Sequence, residues 1–574
     1  MKNIFSNRNL VFLALSIPFL FSNGFSQDFN WGPALKTNLE KLADSLTLNV
    51  KPWAIPNSVF NVEDFGAKGD GTTLNTVSIQ AAIDSCSSKG GGIVLFDSGN
   101  YLTGTIRLKS NVMLEVSEGA KILGSTNLAD YPAIKENLKS IMSEYYQKDQ
   151  SLIYAEKVSN IGIRGKGEIY FRGEKINFPG QQTIGPMPGR PFGIRVFECS
   201  NIFLKNITLR NAAAWMQNYV FSNNLIFDSI TVWNDANVNN DGLDIDGCNG
   251  VIVKNSTIIA EDDALCFKGA SAKPTQNVLV ENCKIYSSTN AFKIGTDTQG
   301  PFKNFIARNC ILGGVPPGTK WMGKDFQKLG NASTGITLAT VDGGDVENIY
   351  LSGMEINYAR CPIFLRIGNR GRVIAGVPKP PVGYLKNILI ENITGSNNLI
   401  QGSFISGISG HLVSDVIIRN YKVSMAGGGT SAMTTATVPE KEGGYPDAQE
   451  FNMQGLPAYG FYLRYASNIW FDSVKTTPVK ADARPQFASG VDTLNIVENG
   501  KAFTTGAIVK KSKTEFFDAK NFGLKIYEKL PSFISRSTKI RSTVIGTQQI
   551  SVTIYEVSGK KVMTKLEPIP LPND

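Results

Sequence analysis

The sequence predicts an all-β chain wound as a right-handed parallel β-helix, a solenoid with a short capping helix at its N-terminal end. Its main sign is a recurring phrase, Asn followed by three mostly apolar residues: Asn160-Ile161-Gly162-Ile163, Asn201-Ile202-Phe203-Leu204, Asn224-Leu225-Ile226-Phe227, Asn277-Val278-Leu279-Val280 and Asn304-Phe305-Ile306-Ala307. The phrase returns at Asn348, Asn387 and Asn468, with variants at Gly250 and Asp415, and several anchors lie 23 to 28 residues apart. A fixed period of that size marks stacked repeats, and segments of three to five residues with no helical pattern between them leave coils of short strands. The 56 glycines point the same way, toward many turns. Asn suits the repeated turn because it tolerates left-handed backbone and its amide can stack on the next rung. We assign these asparagines no chemistry.

At the N-terminus, Lys2 and Arg8 precede an apolar run from Leu10 to Phe21 and small, polar residues through Ser26-Gln27. Residues 1–26 therefore read as a secretory signal peptide, too short for a spanning helix, and they predict a secreted, periplasmic or cell-surface protein without stable membrane insertion. A lipid anchor is not expected, since no cysteine stands at the cleavage point. Residues 27–57 form an N-terminal extension. From 58 to 485 runs the β-helix. Asn61 to Gly71 is a turn-rich lead into Thr76–Cys86, whose apolar Val77, Ala81, Ala82 and Ile83 predict an amphipathic helix over the open end of the coil. Gly90-Gly91-Gly92 stops that helix, and Ile93-Val94-Leu95-Phe96 begins the winding. The long intervals Gly313–Ser333 and Met425–Pro457 are insertions expected to wall one binding face. Beyond 485 the repeat is lost. In this extension, 486–574, Val552 to Val562 is an alternating strand and turn that resembles the start of a type IX secretion sorting domain, without the later Gly-rich strand.

Seven cysteines, an odd number without C-x-x-C pairs, fit small stacked core residues better than a metal site or a disulfide framework, although export leaves room for one or two bridges. No metal and no cofactor is expected. The formal charge is +9, and removing Lys2 and Arg8 with the leader leaves +7. A basic exported protein suits an anionic polysaccharide, whereas the lack of any Lys/Arg run argues against nucleic acid. A monomer is expected.

Two acidic lines carry the chemistry. When Asp241-Gly242-Leu243-Asp244-Ile245, Asp263-Ala264-Leu265-Cys266-Phe267 and Asn290-Ala291-Phe292-Lys293-Ile294 are written as successive rungs, Leu243, Leu265 and Phe292 fall in one inward column and Ile245, Phe267 and Ile294 in another. Asp241, Asp263 and Asn290 then share a column, about 5 Å apart at the backbone, with Asp262 displaced by one residue and Lys268 and Lys293 beside them. Acidic turns on a solenoid can be merely solvated or bind calcium, but three converging carboxylates suit hydrolysis of a glycosidic bond. One carboxyl, kept protonated by its neighbours, donates to the leaving oxygen, while another deprotonates water across a gap of about 6.5–9.5 Å in an inverting reaction.

Gly189-Arg190-Pro191, Phe197 to Ile202, Asn211 to Trp215, Asn239 to Asp246 and Asp262-Asp263 with Lys268 together resemble the family 28 glycoside hydrolases, the polygalacturonase family, over roughly residues 58–475. The resemblance implies catalysis by Asp241, Asp262 and Asp263, with Asp262 as general acid and the other two activating water. Two motifs depart from the family. Asn290 stands where it has histidine, and Thr337-Leu338-Ala339 where it has Arg-Ile-Lys to grip a substrate carboxylate. Lys268, Asn290, Lys293, Arg366 and Arg370 are therefore candidate substrate-binding residues, the arginines being able to hold a carboxylate with paired donors or to be solvated turn charges. Trp215, Trp321 and Tyr358 could stack on sugars or pack, and the lone His411 lies outside this ladder. A polysaccharide lyase or epimerase on the same fold and a non-catalytic glycan-binding β-helix remain alternatives.

Overall fold

The computed structural model describes residues 31–134, 150–180, 189–321, 324–325, 330–373, 376–502, 539–545, 549–555 and 561–568, with backbone alone for 321, 324–325 and everything from 539 onward. The candidate signal segment 1–26 lies outside the described residues.

From Val59–Asn61 to Lys501–Ala502 the chain winds into strands collected in two sheets, one of 25 strands and one of 12, all pairing parallel except the last strand, Lys501–Ala502, which turns back antiparallel on Thr493–Glu498. The smaller sheet takes one strand per coil, running Ile106–Arg107, Ser151–Glu156, Phe192–Phe197, Gln217–Val220, Leu243–Asp246, Leu265–Gly269, Asn290–Thr298, Ala332–Thr340, Ala359–Ile367, Ser403–Ser406, Phe461–Arg464 and Phe487–Ser489. Parallel crossovers of this kind are right-handed, so the chain is a right-handed parallel β-helix. Its register matches the expected columns, with Leu243 beside Leu265 and Leu265 beside Phe292, and Ile245 beside Phe267 and Phe267 beside Ile294. These side chains are buried in one continuous core that fills the coil.

The repeated asparagines form the expected ladder. Asn160, Asn201 and Asn224 have φ of 58°, 56° and 58°, in the left-handed region. Each amide donates to the asparagine one rung before it: Asn160 to Asn111 at 2.7 Å, Asn201 to Asn160 at 2.9 Å and Asn224 to Asn201 at 3.0 Å. The ladder resumes through Asn277, Asn304, Asn348 and Asn387, each amide again donating to the rung before. Every rung thus satisfies an amide that would otherwise be stranded at the turn.

Helix α2, Thr76–Ser88, buries Ile79, Ala82, Ile83 and Cys86 against the first coils, where the capping helix was expected. Another helix was not anticipated. Helix α1, Trp31–Asn49, lies in the N-terminal extension and buries Leu39, Ala43 and Leu46. It covers a row made by the middle residue of successive Asn phrases, Phe203, Ile226, Leu279, Ile306, Tyr350 and Leu389, with Ile252 and Ile417 from the variant phrases. That explains why the phrase is apolar at three consecutive positions: the outer two face the core, and the middle one faces α1. No helix among the described residues is long and apolar enough to cross a membrane.

Residues 511–574 form a separate unit. Its described strands, Lys539–Ile545, Gln549–Tyr555 and Lys561–Pro568, pair antiparallel in that order.

Candidate active site

Asp241 sits at the turn before the Leu243–Asp246 strand, held there by a network of asparagines. Asn234 Nδ2 donates to the Asp241 carbonyl at 2.8 Å and to Ala214 O at 2.9 Å, and Asn240 Nδ2 donates to the Ala212 and Ala214 carbonyls at 2.9 Å. Gly242 allows the next rung to approach, because a Cβ there would lie 2.5 Å from the Ala264 carbonyl oxygen. Its N–H donates to the Asp263 carbonyl at 2.9 Å, which ties the two acidic turns together. The neighbouring Asn239 Nδ2 donates to Asp262 Oδ2 at 3.4 Å, and Arg190 Nη2 donates to Asn239 Oδ1 at 3.1 Å. The Gly189-Arg190-Pro191 motif therefore steadies the loop that faces Asp262.

The structure brings six of the predicted residues together: Asp241, Asp262, Asp263, Lys268, Asn290 and Lys293. Asp263 is buried and densely bonded, accepting from Asn290 Nδ2 at 2.7 Å and from Lys293 Nζ at 3.0 and 3.3 Å. Burial alone would raise its pKa, but Lys293, Lys268 and the Asn290 amide outweigh that and hold it below the ordinary carboxylate range. Asp262 is only partly buried. Its Oδ1 accepts from Thr289 Oγ1 at 2.9 Å, and desolvation followed by the Asp263 charge raises its pKa. Burial, Asp244 and Asp262 drive Asp241 higher still, and its Oδ1 is buried without a hydrogen bond among the described residues. Lys268 Nζ lies 3.6 Å from Asp241 Oδ2 and 3.2 Å from Asp244 Oδ1. The neighbouring carboxylates overcome burial and keep both lysines charged. The cluster thus sets one aspartate with a lowered pKa beside two with raised ones, the kind of inequality that acid–base catalysis uses.

The two arginines are employed elsewhere. Arg366 is 1% exposed, and its donors go to Ser406 Oγ at 3.0 Å, Gly407 O at 3.1 Å, Glu440 O at 3.0 Å and Lys441 O at 2.9 Å. It fastens the Met425–Pro457 insertion to the sheet, which does not fit the expected grip on substrate. Arg370 forks onto Asp342, Nε to Oδ1 at 2.9 Å and Nη2 to Oδ2 at 2.5 Å, so its charge is already matched. Thr337 Oγ1 donates to Asn290 Oδ1 at 3.1 Å, and Ala339 is buried, so neither offers a cation. Trp215 is buried edge-on to Phe192 with Lys268 4.3 Å from its ring centre, a packing role. Tyr358 is partly exposed at the turn before Ala359–Ile367, the Trp321 side chain lies outside the described residues, and His411 is exposed at a turn bridged to Ile408. Sequence reasoning missed Asp447, whose Oδ1 accepts from Lys293 Nζ at 2.9 Å and from Asn290 Nδ2 at 3.2 Å. Among the described residues no group of three His, Cys, Asp or Glu side chains is placed to hold a metal ion, and all seven cysteines are buried and free.

The sequence profile of the glycosyl hydrolases family 28 matches residues 86–285, a span that holds all three clustered aspartates. Over that span, about a third of its length, the chain is similar to the family 28 glycoside hydrolases. The exo-poly-alpha-D-galacturonosidase of Dickeya chrysanthemi is 25% identical over 442 residues, covering 66% of this chain and 70% of its own. A probable polygalacturonase of Vitis vinifera is 25% identical over 338 residues, covering 54% and 62%. Among solved structures, the family 28 exopolygalacturonase of Yersinia enterocolitica superposes with a TM-score of 0.57 at 19% identity, covering 77% of this chain and 78% of that one. An exopolygalacturonase from Thermotoga maritima gives 0.55 at 19%, covering 81% and 97%. At that identity the two structures speak to the fold of this chain and not to its substrate.

Proposed function

We propose that this chain is a family 28 glycoside hydrolase that cleaves glycosidic bonds in a pectin-like, uronate-bearing polysaccharide with inversion at the anomeric carbon. Asp262 protonates the leaving oxygen, and Asp263, with Asp241, takes the proton of the attacking water. The observation that carries this reading is the unequal treatment of adjacent carboxylates. Asp263 is shifted toward the ionised form by Lys293, Lys268 and Asn290, while burial and the Asp263 charge raise the pKa of Asp262. The Asp262 charge is itself one of the causes raising Asp241, so a protonated Asp262 relieves Asp241 toward the ionised form that water activation needs. The polygalacturonase names of the curated relatives support a galacturonate-containing substrate. Uncharged Thr337 and Ala339, where the family carries Arg and Lys, support a preference shifted away from plain polygalacturonate. The leader-like residues 1–26 support export.

Asp262→Asn tests the reading directly on a panel of pectic and sulfated polysaccharides with product analysis. The variant is expected to lose at least about a thousandfold in kcat while still binding the glycan that the wild type cleaves, as removal of a general acid demands. Unsaturated products formed equally by both proteins would make the chain a lyase. No turnover by the wild type on any acidic glycan would leave a binding protein.

A further inference from the structure

Asn290 and Lys293 each hold a second carboxylate besides Asp263. Asp447, 154 positions beyond Lys293, accepts from Lys293 Nζ at 2.9 Å and from Asn290 Nδ2 at 3.2 Å through one oxygen, Oδ1. Asp263 accepts from the same two groups, at 3.0 Å from the ammonium and 2.7 Å from the amide. Four side chains therefore close a ring in which one ammonium and one amide bridge two carboxylates. An ammonium has three donors and an amide two, so both bridging groups are used by the ring and neither is left to rotate.

The segment that delivers Asp447 is strapped down on both sides of it. Arg366 holds the Glu440 and Lys441 carbonyls, and Arg464 donates to Val438 O at 2.8 Å and to Pro439 O at 2.7 Å. Just past Asp447, Gln401 Nε2 donates to Ala448 O at 2.8 Å, and Phe451 packs 5.5 Å from Phe404 and 5.8 Å from Phe364, centre to centre. Asp447 itself is 5% exposed. So much anchoring for one short stretch of an insertion implies that its position matters.

We propose that Asp447 is a positioning residue for the reaction, fixing Lys293 and Asn290 against Asp263 so that Asp263 and Asp262 keep their different roles. An insertion thereby supplies, as a carboxylate, the orientation that a histidine column would have supplied at Asn290. The inference rests on the hydrolytic reading of the aspartate trio. Charged and titratable groups around the ring are Asp262, Asp263, Cys266 and Lys268 from one coil, Asp241 from the coil before it, Lys293 from its strand, and Tyr445 under Lys293 with Arg370 beyond it. Asp447 is among the charges that raise Asp262. Neutralising it removes that charge, which lowers Asp262.

Asp447→Asn keeps the acceptor oxygen and removes the charge. Its kcat on the wild type's substrate is expected to fall roughly 10- to 100-fold with KM changed less than about threefold, as for a misplaced reacting group. The alkaline limb of the pH–rate profile, where the general acid is lost, should move to lower pH. A purely structural role would lower the melting temperature and leave that limb in place, which would overturn the proposal, as would wild-type kinetics. If Asp447→Asn melts below the assay temperature, Asp447→Glu is compared instead: the limb restored with kcat reduced supports the proposal, and wild-type kcat sinks it. A carboxyl-13C aspartate titration by NMR, with the signal assigned through Asp262→Asn, separates this from failure of the hydrolytic reading. An Asp262 pKa that drops in Asp447→Asn upholds the coupling even in a protein with no hydrolase activity, and an unmoved one refutes it.

Discussion

Asp246 ends the Leu243–Asp246 strand, five residues beyond Asp241 and beside Lys268 in the next rung, and is fully buried. Its Oδ1 accepts the Ala270 N–H at 3.0 Å, while Oδ2 has no hydrogen bond among the described residues. Burial, reinforced by Asp297 and Asp244 and opposed by Ala270 and Lys268, raises its pKa to about 7. In the unfolded chain an aspartate titrates near 3.9, so between about 4 and 7 the folded state binds the extra proton. Stability therefore falls as pH rises through that window, and the penalty is complete above it. Asp246→Asn is neutral throughout and keeps an acceptor for Ala270. Its unfolding free energy relative to wild type should climb between pH 4 and 7 and level off above, at roughly 4 kcal/mol for three pKa units. Urea unfolding at a series of pH values measures the difference curve. A curve flat across that range would show that Asp246 ionises as a solvated carboxylate does.

Helix α1 shows what a segment contributes that no single residue reveals. Leu39, Ala43 and Leu46 recur at spacings of four and three along one helical face and meet one apolar residue from each of eight coils. Ala43 has no exposed surface, so Ala43→Asp puts an unpaired charge into that contact and should cost more than about 2 kcal/mol, releasing α1 to protease before the coils unfold. Lys41→Asp, on the exposed face, should leave both stability and cleavage within error. Equal protease sensitivity in the two variants would mean that α1 is not held by this face. The same contrast marks what a reader of the sequence can see. The Asn phrases and the Asp241, Asp263 and Asn290 column were legible because a solenoid repeats each contact at a fixed interval, so position in the repeat predicts position in space. Helix α1 was not, since its partner surface is spread over eight repeats and shows only as an unexplained apolar residue in each. Asp447 was invisible for the same reason at greater range, since nothing near Pro446-Asp447 signals that its partners lie 154 and 157 positions away. Arg366 and Arg370 announced their charge but not its destination, which depended on insertion carbonyls and on Asp342.

Charge is distributed unevenly over the whole protein. Asp241, Asp244, Asp246, Asp262, Asp263 and Asp447 surround Lys268 and Lys293 at the site, an acidic excess, whereas the full chain carries +9, or +7 without Lys2 and Arg8. An anionic polysaccharide of the kind proposed would therefore be drawn by the overall charge and not by the catalytic cluster, where a nearby uronate would meet like charge. Long-range attraction is screened over about 10 Å at 0.1 M salt and about 3 Å at 1 M. Raising NaCl from 50 to 500 mM should thus lower kcat/KM on a long anionic chain several-fold, chiefly through KM, because steering acts before the bond-breaking step. An oligosaccharide long enough only to span the trio should respond weakly or in the opposite sense, since screening relieves its repulsion from the acidic cluster. Initial rates at fixed pH on both substrates make the comparison. If polymer and oligosaccharide lose affinity with the same slope, the attraction is local to the cleft and the basic surface plays no part in capturing substrate.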